Sequence, residues 1–136
     1  MWLDWCWRAH VPKANRTILC LTVYNTIEGL IARRSRPQDL NGARIGTPFG
    51  STAHYQALYL IEIFSLTGVT LLDMSPSRLR VAWDANEIDA AFIWGSTLTY
   101  MEERGGYYVI TAATLSKWGK PTFEVLATCG ARRLEQ

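Results

Sequence analysis

The stretch Gly46-Thr47-Pro48-Phe49-Gly50-Ser51-Thr52-Ala53-His54-Tyr55 gathers the residues of this 136-residue chain whose types and spacing suit them to chemistry. A strand that runs through a glycine-containing turn into a helix leaves backbone N–H groups without carbonyl partners. It also places the positive end of the helix dipole at the same point. Such a site favours anions. The Ser51 and Thr52 hydroxyls add two donors, so an oxyanion with three acceptor oxygens is well matched. The lysine and the length of a phosphate-binding P-loop are missing, and the spacing is not that of the GxGxxG dinucleotide fingerprint. His54, on the first turn of the helix, suits packing or donation to an anion better than general-base work. Ser51 or Thr52 as a plain helix cap is the other reading of the same residues.

Other reactive side chains are dispersed. Asp73 falls at a strand end and Asp89 within an apolar strand, with no Ser, Cys or His set beside them as nucleophile and base, so the chain is not expected to be an enzyme. Cys6, Cys20 and Cys129 lack metal-site spacing, and neither His10 nor His54 has a ligand partner nearby in sequence. No metal or other cofactor is expected. Trp83, Trp94 and Trp118 are candidates for core or for pocket wall. Trp94 is the better pocket candidate, because it ends a strand at the edge where parallel sheets bind ligands.

From residue 43 onward, short β-branched runs alternate with helical patterns, the sign of βαβ units on a parallel sheet. Arg44–Thr47 reads as a strand, and Ala57, Leu60, Ile61 and Phe64 mark the buried stripe of the helix after it. Val69–Asp73 is a second strand. Ser75-Pro76 supplies an N-cap followed by proline at the first helical position, Leu79, Ala82 and Trp83 form the stripe, and Asn86 closes the helix in the left-handed region. Residues 88–94 are nearly continuous in small and apolar side chains, as a central strand covered on both faces should be. A helix over 96–103, a Gly105-Gly106 turn, a strand at 107–110, a polar excursion from Thr111 to Lys120 and a strand at 123–128 complete the pattern. The run 28–33 reads as a further strand before the block. Residues 1–26 carry no clean period.

Composition narrows the function. The chain is 49% hydrophobic and 19% charged with a net charge of +2, which suits one folded domain and excludes a disordered chain. No apolar run reaches the roughly 20 residues of a membrane-spanning helix. Met1–Arg8 lacks the basic start and apolar run of a secretory signal. Residues 1–36 carry +4 and residues 37–129 carry −3. A mildly acidic centre argues against a phosphate-tracking surface, so no nucleic-acid partner is expected. Arg33-Arg34-Ser35-Arg36 reads as a solvated loop.

With these residues assigned, the chain resembles the substrate-binding proteins of taurine and related alkanesulfonate ABC transporters. The matching elements are EGLIAR at 28–33, RPQDLNGARIGTPFGSTAHY at 36–55, AWDANEIDAAFIW at 82–94 and WGKPTFEV at 118–125, in the family's order and over about 100 residues. The resemblance implies an α/β fold, a parallel-sheet βαβ sandwich like one lobe of a type II periplasmic binding protein. It divides the chain into an N-terminal segment, 1–36, with a first hinge strand at 28–33, a second lobe at 37–122, and a second hinge strand and tail at 123–136. Such proteins close on their ligand like a clam. The family's opening β-α-β-α-β segment and the C-terminal helices of lobe one have no counterpart here, so the resemblance implies about half a clamshell and weak affinity.

By the same resemblance the anion site becomes a sulfonate site formed by Ser51 and Thr52 with His54 and Tyr55 close by. Trp94 and Trp118 become pocket walls. Glu124 falls where taurine-binding relatives place the acidic residue, often Asp, that pairs the ligand's ammonium. The implied partners are a taurine-like sulfonate and an ABC transporter permease, and the implied compartment is the periplasm. Two rival readings remain. One is an enzyme like the thiamine-pyrimidine synthases, which share the fold but rely on a Cys-rich motif and an active-site His absent here. The other is a stand-alone lobe that forms a homodimer through exposed hinge strands, helped by Trp2, Trp5 and Trp7.

Overall fold

The computed structural model describes residues 16–25 and 27–129, with side chains over 27–123. Trp2, Trp5, Trp7, Cys6, His10 and the tail beyond residue 129 lie outside the described residues. The elements run β1 (Arg16–Asn25), β2 (Gly29–Ala32), a 3-10 turn (Pro37–Leu40), β3 (Arg44–Thr47), α1 (Thr52–Ile63), β4 (Thr70–Asp73), α2 (Pro76–Asp84), β5 (Ala90–Ile93), α3 (Gly95–Glu103), β6 (Tyr107–Thr111), α4 (Ala112–Lys117) and β7 (Thr122–Cys129).

Five strands form one sheet in the order β4-β3-β5-β2-β6. β3 pairs in parallel with β4 and β5, while β2 is antiparallel to both β5 and β6. Four strands therefore point one way and β2 points back. The expectation of an α/β parallel-sheet sandwich holds with that one reversal, and β5 is central as its composition requires. Every residue of β2 and of β5 is buried. Along β5, Ala90 and Phe92 face a core layer built with Ala53, Ala57 and Leu60 of α1 and Leu115 of α4. Ala91 and Ile93 face the other layer, with Leu79, Ala82 and Trp83 of α2 and Leu98 and Met101 of α3. Strand alternation between two apolar layers is the reason these runs lack a polar phase.

Within the run 28–33, which the resemblance makes a first hinge strand, β2 is an inner strand of the sheet, and β1 is the antiparallel partner of β7 in a separate two-stranded ribbon. The physical reason lies in its side chains: Leu30, Ile31 and Ala32 are all apolar, and a strand apolar on both faces is stable only between two neighbours and two layers. Within the excursion from Thr111 to Lys120, residues 112–117 form α4. Thr111 caps it by accepting from the Thr114 N–H at 3.3 Å, and only Ala112 and Leu115 are buried, too short a stripe to show as a period. Asn86 has φ 57°, the left-handed closure expected after α2.

The N-terminal edge of the parallel strands is clamped by charge. Arg44 Nε donates to Asp89 Oδ2 at 3.0 Å and its Nη2 to Asp89 Oδ1 at 3.1 Å, joining β3 to the start of β5. The hydrogen bonds from Arg44 hold the Asp89 carboxyl below the ordinary carboxylate range. Asp89 is thus a structural ion pair at the edge opposite the glycine turn. Trp83 is core, with the Arg33 guanidinium 4.1 Å from its ring centre.

The close approach of α3 to β2 requires a glycine where α3 turns into β6. A Cβ on Gly106 would lie 2.7 Å from Ile31 Cγ1 and 2.8 Å from the Met101 carbonyl oxygen. Gly106→Ala is expected to cost roughly 1–3 kcal/mol, the usual range for overpacking. Urea unfolding should show a lower midpoint at unchanged slope.

Candidate functional site

The C-terminal ends of β3, β4, β5 and β6 meet at one edge, and because β2 runs backwards its first residue, Gly29, pairs there with Ile93 and Thr111. Glu28 therefore enters the same edge. From β3 the chain passes through Pro48-Phe49-Gly50 into α1, whose N-cap is Ser51. Asp73 at the end of β4 accepts the Phe49 N–H at 2.9 Å and ties this turn to the sheet.

The local hydrogen bonds decide which donors face outward. Ser51 Oγ accepts from the His54 N–H at 3.2 Å and donates to the Pro48 carbonyl at 2.6 Å. Thr52 Oγ1 donates to Glu28 Oε1 at 2.5 Å. Both hydroxyl protons expected for an oxyanion are thus already committed within the protein. The Tyr55 N–H bonds the Ser51 carbonyl. The N–H groups of Thr52 and Ala53 are the donors that no carbonyl of the helix can reach. Tyr55 is half-buried on the same turn.

His54 adds a donor of fixed tautomer. Its Nδ1 accepts from the Gly50 N–H at 3.2 Å, so the neutral ring carries its proton on Nε2. Its ring stacks on Phe49, centroids 4.2 Å apart and 5° from parallel. Burial pushes the His54 imidazole below its ordinary value, against an opposing pull from Asp73.

Beneath the first turns of α1 lies a polar layer within an otherwise apolar core. Glu28, Thr47, Gln56 and Thr122 are all buried. Gln56 Nε2 donates to Thr122 Oγ1 at 3.3 Å, joining α1 to the first residue of β7. Thr47 lies on the same strand face as Ile45, the face α1 covers. Among the described residues, the fully buried Thr47 Oγ1 and Gln56 Oε1 have no hydrogen-bond partner. Sequence reasoning assigned none of these four side chains a part in the site. Gln56 carried a usable signal, since it interrupts the buried stripe of Ala53, Ala57 and Leu60, and a polar residue inside such a stripe needs a reason.

The two pocket tryptophans separate. Trp94 is the N-cap of α3 at the expected edge and packs against both core layers. Trp118 stands edge-on to Phe64, centroids 6.4 Å apart, just past the C-terminal end of α1. That is about 18 Å along the helix from Thr52 at roughly 1.5 Å per residue. Trp118 and Ser51 do not share a pocket within this lobe. Glu124 lies in β7 opposite Val23, and its side chain is outside the described residues. Among the described residues no group of three His, Cys, Asp or Glu could hold a metal. Nor is any helix among them long and apolar enough to cross a membrane.

Because His54 binds its proton less readily in the folded chain, the unfolded state holds more protons as the pH falls below about 6.5. The contribution is intact above that value and is lost as the pH falls through the lower folded value. The NMR titration midpoint of His54 should lie below about 6.5. Thermal stability should fall on acidification in that window, and His54→Gln should lose less.

No protein-family model matches the chain. Over 102 residues it is 30% identical to the taurine-binding periplasmic protein of Escherichia coli, a match spanning 72% of this chain and 32% of that protein. Its fold is similar to the periplasmic aliphatic sulphonate binding protein SsuA from Escherichia coli, with a TM-score of 0.66 at 17% identity over 76% of this chain and 38% of the other. It is also similar to the desulfurization enzyme DszB, with a TM-score of 0.64 at 14% identity over 85% and 50%. The chain thus spans about a third of the length of the curated relative it matches. By sequence these residues are similar to a taurine-binding protein over about a third of its length, and their fold is similar to that of an aliphatic sulphonate binding protein.

Proposed function

We propose that this chain is a ligand-holding lobe of a periplasmic solute-binding protein that serves an ABC importer of taurine or related sulfonates. The single observation that carries the reading is the mouth of α1 at the C-terminal edge of the sheet, where the Thr52 and Ala53 N–H groups have no carbonyl partner within the helix and the neighbouring His54 carries its proton on Nε2. A sulfonate presents three acceptor oxygens and one negative charge, which suits neutral donors at a helix N-terminus. In this reading the Ser51 and Thr52 hydroxyls shape the turn and the amides bind.

The path of the chain into β7 supports a role for Glu124. Trp118 meets Phe64, Lys120 Nζ sits 5.3 Å from the Tyr59 ring centre, and Thr122 bonds Gln56, so this segment climbs α1 toward its first turn. Glu124, two residues further on, is then the partner for a ligand ammonium, and Trp94 walls the site. The match to a taurine-binding protein supports the substrate class, and its periplasmic description supports the compartment and the transporter permease as partner. A self-associating lobe is the second reading, favoured by the β1–β7 ribbon, which pairs with no strand of the five-stranded sheet.

Titration of isotope-labelled protein with ethanesulfonate should produce saturable amide shifts centred on Thr52, Ala53 and His54. Folded protein whose spectrum is unmoved at millimolar ligand, or moves only elsewhere, would refute the reading. Light scattering that finds a stable dimer would support the second. Glu124→Gln should weaken taurine by about tenfold, the loss of one charged hydrogen bond, and leave ethanesulfonate unchanged.

A further inference from the structure

We propose that Arg80 anchors a second anion site, at the junction of α2 and α3, that takes a carboxylate group. Among the described residues Arg36, Arg44, Arg78 and Arg104 each pair with a carboxylate, and Arg33 donates to the Ile88 and Trp83 carbonyls. Arg80 is held as firmly yet meets no carboxylate among them. Its Nε donates to Thr97 Oγ1 at 3.1 Å and its Nη2 to Ser96 Oγ at 2.7 Å, while its guanidinium lies 5.1 Å from the Tyr100 ring centre. Asp84, one turn further along α2, is the partner that helical spacing offers it. The Asp84 carboxylate is engaged elsewhere, accepting from the Tyr100 hydroxyl at 2.5 Å and from Arg104 Nε at 3.4 Å.

The two hydroxyls fill one edge of the guanidinium, the edge shared by Nε and Nη2. The edge shared by Nη1 and Nη2 keeps two parallel N–H groups, whose spacing matches the two oxygens of a carboxylate. A sulfonate on the same edge would leave its third oxygen without a donor from Arg80. Because Ser96 and Thr97 are neutral, they fix the side chain without cancelling its charge. Fixing a long side chain in advance lowers the entropy lost when a partner arrives. Arg80 is half-buried, so it keeps contact with solvent. The α2 and α3 layer packs on the face of the sheet opposite α1. The site is therefore separate from the mouth of α1 and stands without the sulfonate reading.

NMR of the arginine side-chain Nε–H groups in the full chain tests this. Sodium acetate should shift the Arg80 resonance saturably, beyond sodium chloride at equal ionic strength, and leave Arg44 and Arg78, which already hold carboxylates, in place. Arg80→Lys keeps the charge and loses the fork, and should weaken acetate by about tenfold, read from the Ser96 and Thr97 amides. In that variant the response of the Thr52 and Ala53 amides to ethanesulfonate should match the wild type, which keeps the two sites distinguishable. A blocked glutamyl peptide that binds more tightly than acetate supports the site with an acidic protein side chain as its occupant. Equal binding supports it with a small carboxylic acid. Equal shifts from chloride and acetate, shifts spread over all the arginines, or undiminished acetate binding by Arg80→Lys would overturn the site. Should Arg80→Lys fail to fold, the wild-type comparison of acetate with chloride decides alone.

Discussion

Burial of β2 and β5 on both faces is the constraint from which the rest of the structure follows. Two apolar layers, α1 with α4 and α2 with α3, enclose these strands. Close approach of the layers depends on small residues at set points. A Cβ on Gly46 would run into the Leu79 side chain, and one on Gly106 would meet Ile31 and the Met101 carbonyl. The N-terminal edge is closed by the Arg44–Asp89 pair. The glycine turn and the mouth of α1 lie at the opposite edge, where parallel sheets place their ligands.

At that edge, hydrogen-bond bookkeeping matters more than residue type. Hydroxyls beside a helix N-terminus look like anion donors, yet each has one proton. Ser51 gives its own to Pro48 and Thr52 gives its own to Glu28. What remains at this edge are the Thr52 and Ala53 amides, which the helix leaves without carbonyl partners, and a histidine whose tautomer is fixed from behind.

The relatives sharpen the meaning of the fold. A transporter-type sulphonate binder and a desulfurization enzyme share it at comparable TM-scores, so the fold by itself does not separate binding from catalysis. The sequence match is to a taurine-binding protein, over about a third of its length. Enclosure by a second surface would strengthen each polar contact by removing water.

Local sequence determined the elements and the place of the site. Apolar spacing marked α1 and α2, Ser75-Pro76 and Asn86 marked the ends of α2, and the unbroken apolar run at 88–94 marked the centre of the sheet. The turn from Gly46 to Tyr55 marked the candidate site, because strand-to-helix turns expose amides whatever surrounds them. Only tertiary structure decided the partners. β2 and β7 were expected to play matching parts, but pairing is set by which surfaces must be covered, and this sent β2 inside the sheet and β7 to β1. Trp118 went to the far end of α1 because a helix axis separates residues that sequence order leaves unranked. Glu28 met Thr52 across 24 positions. No local pattern encodes such a meeting, since it exists only once a strand and a helix have been packed against the same core.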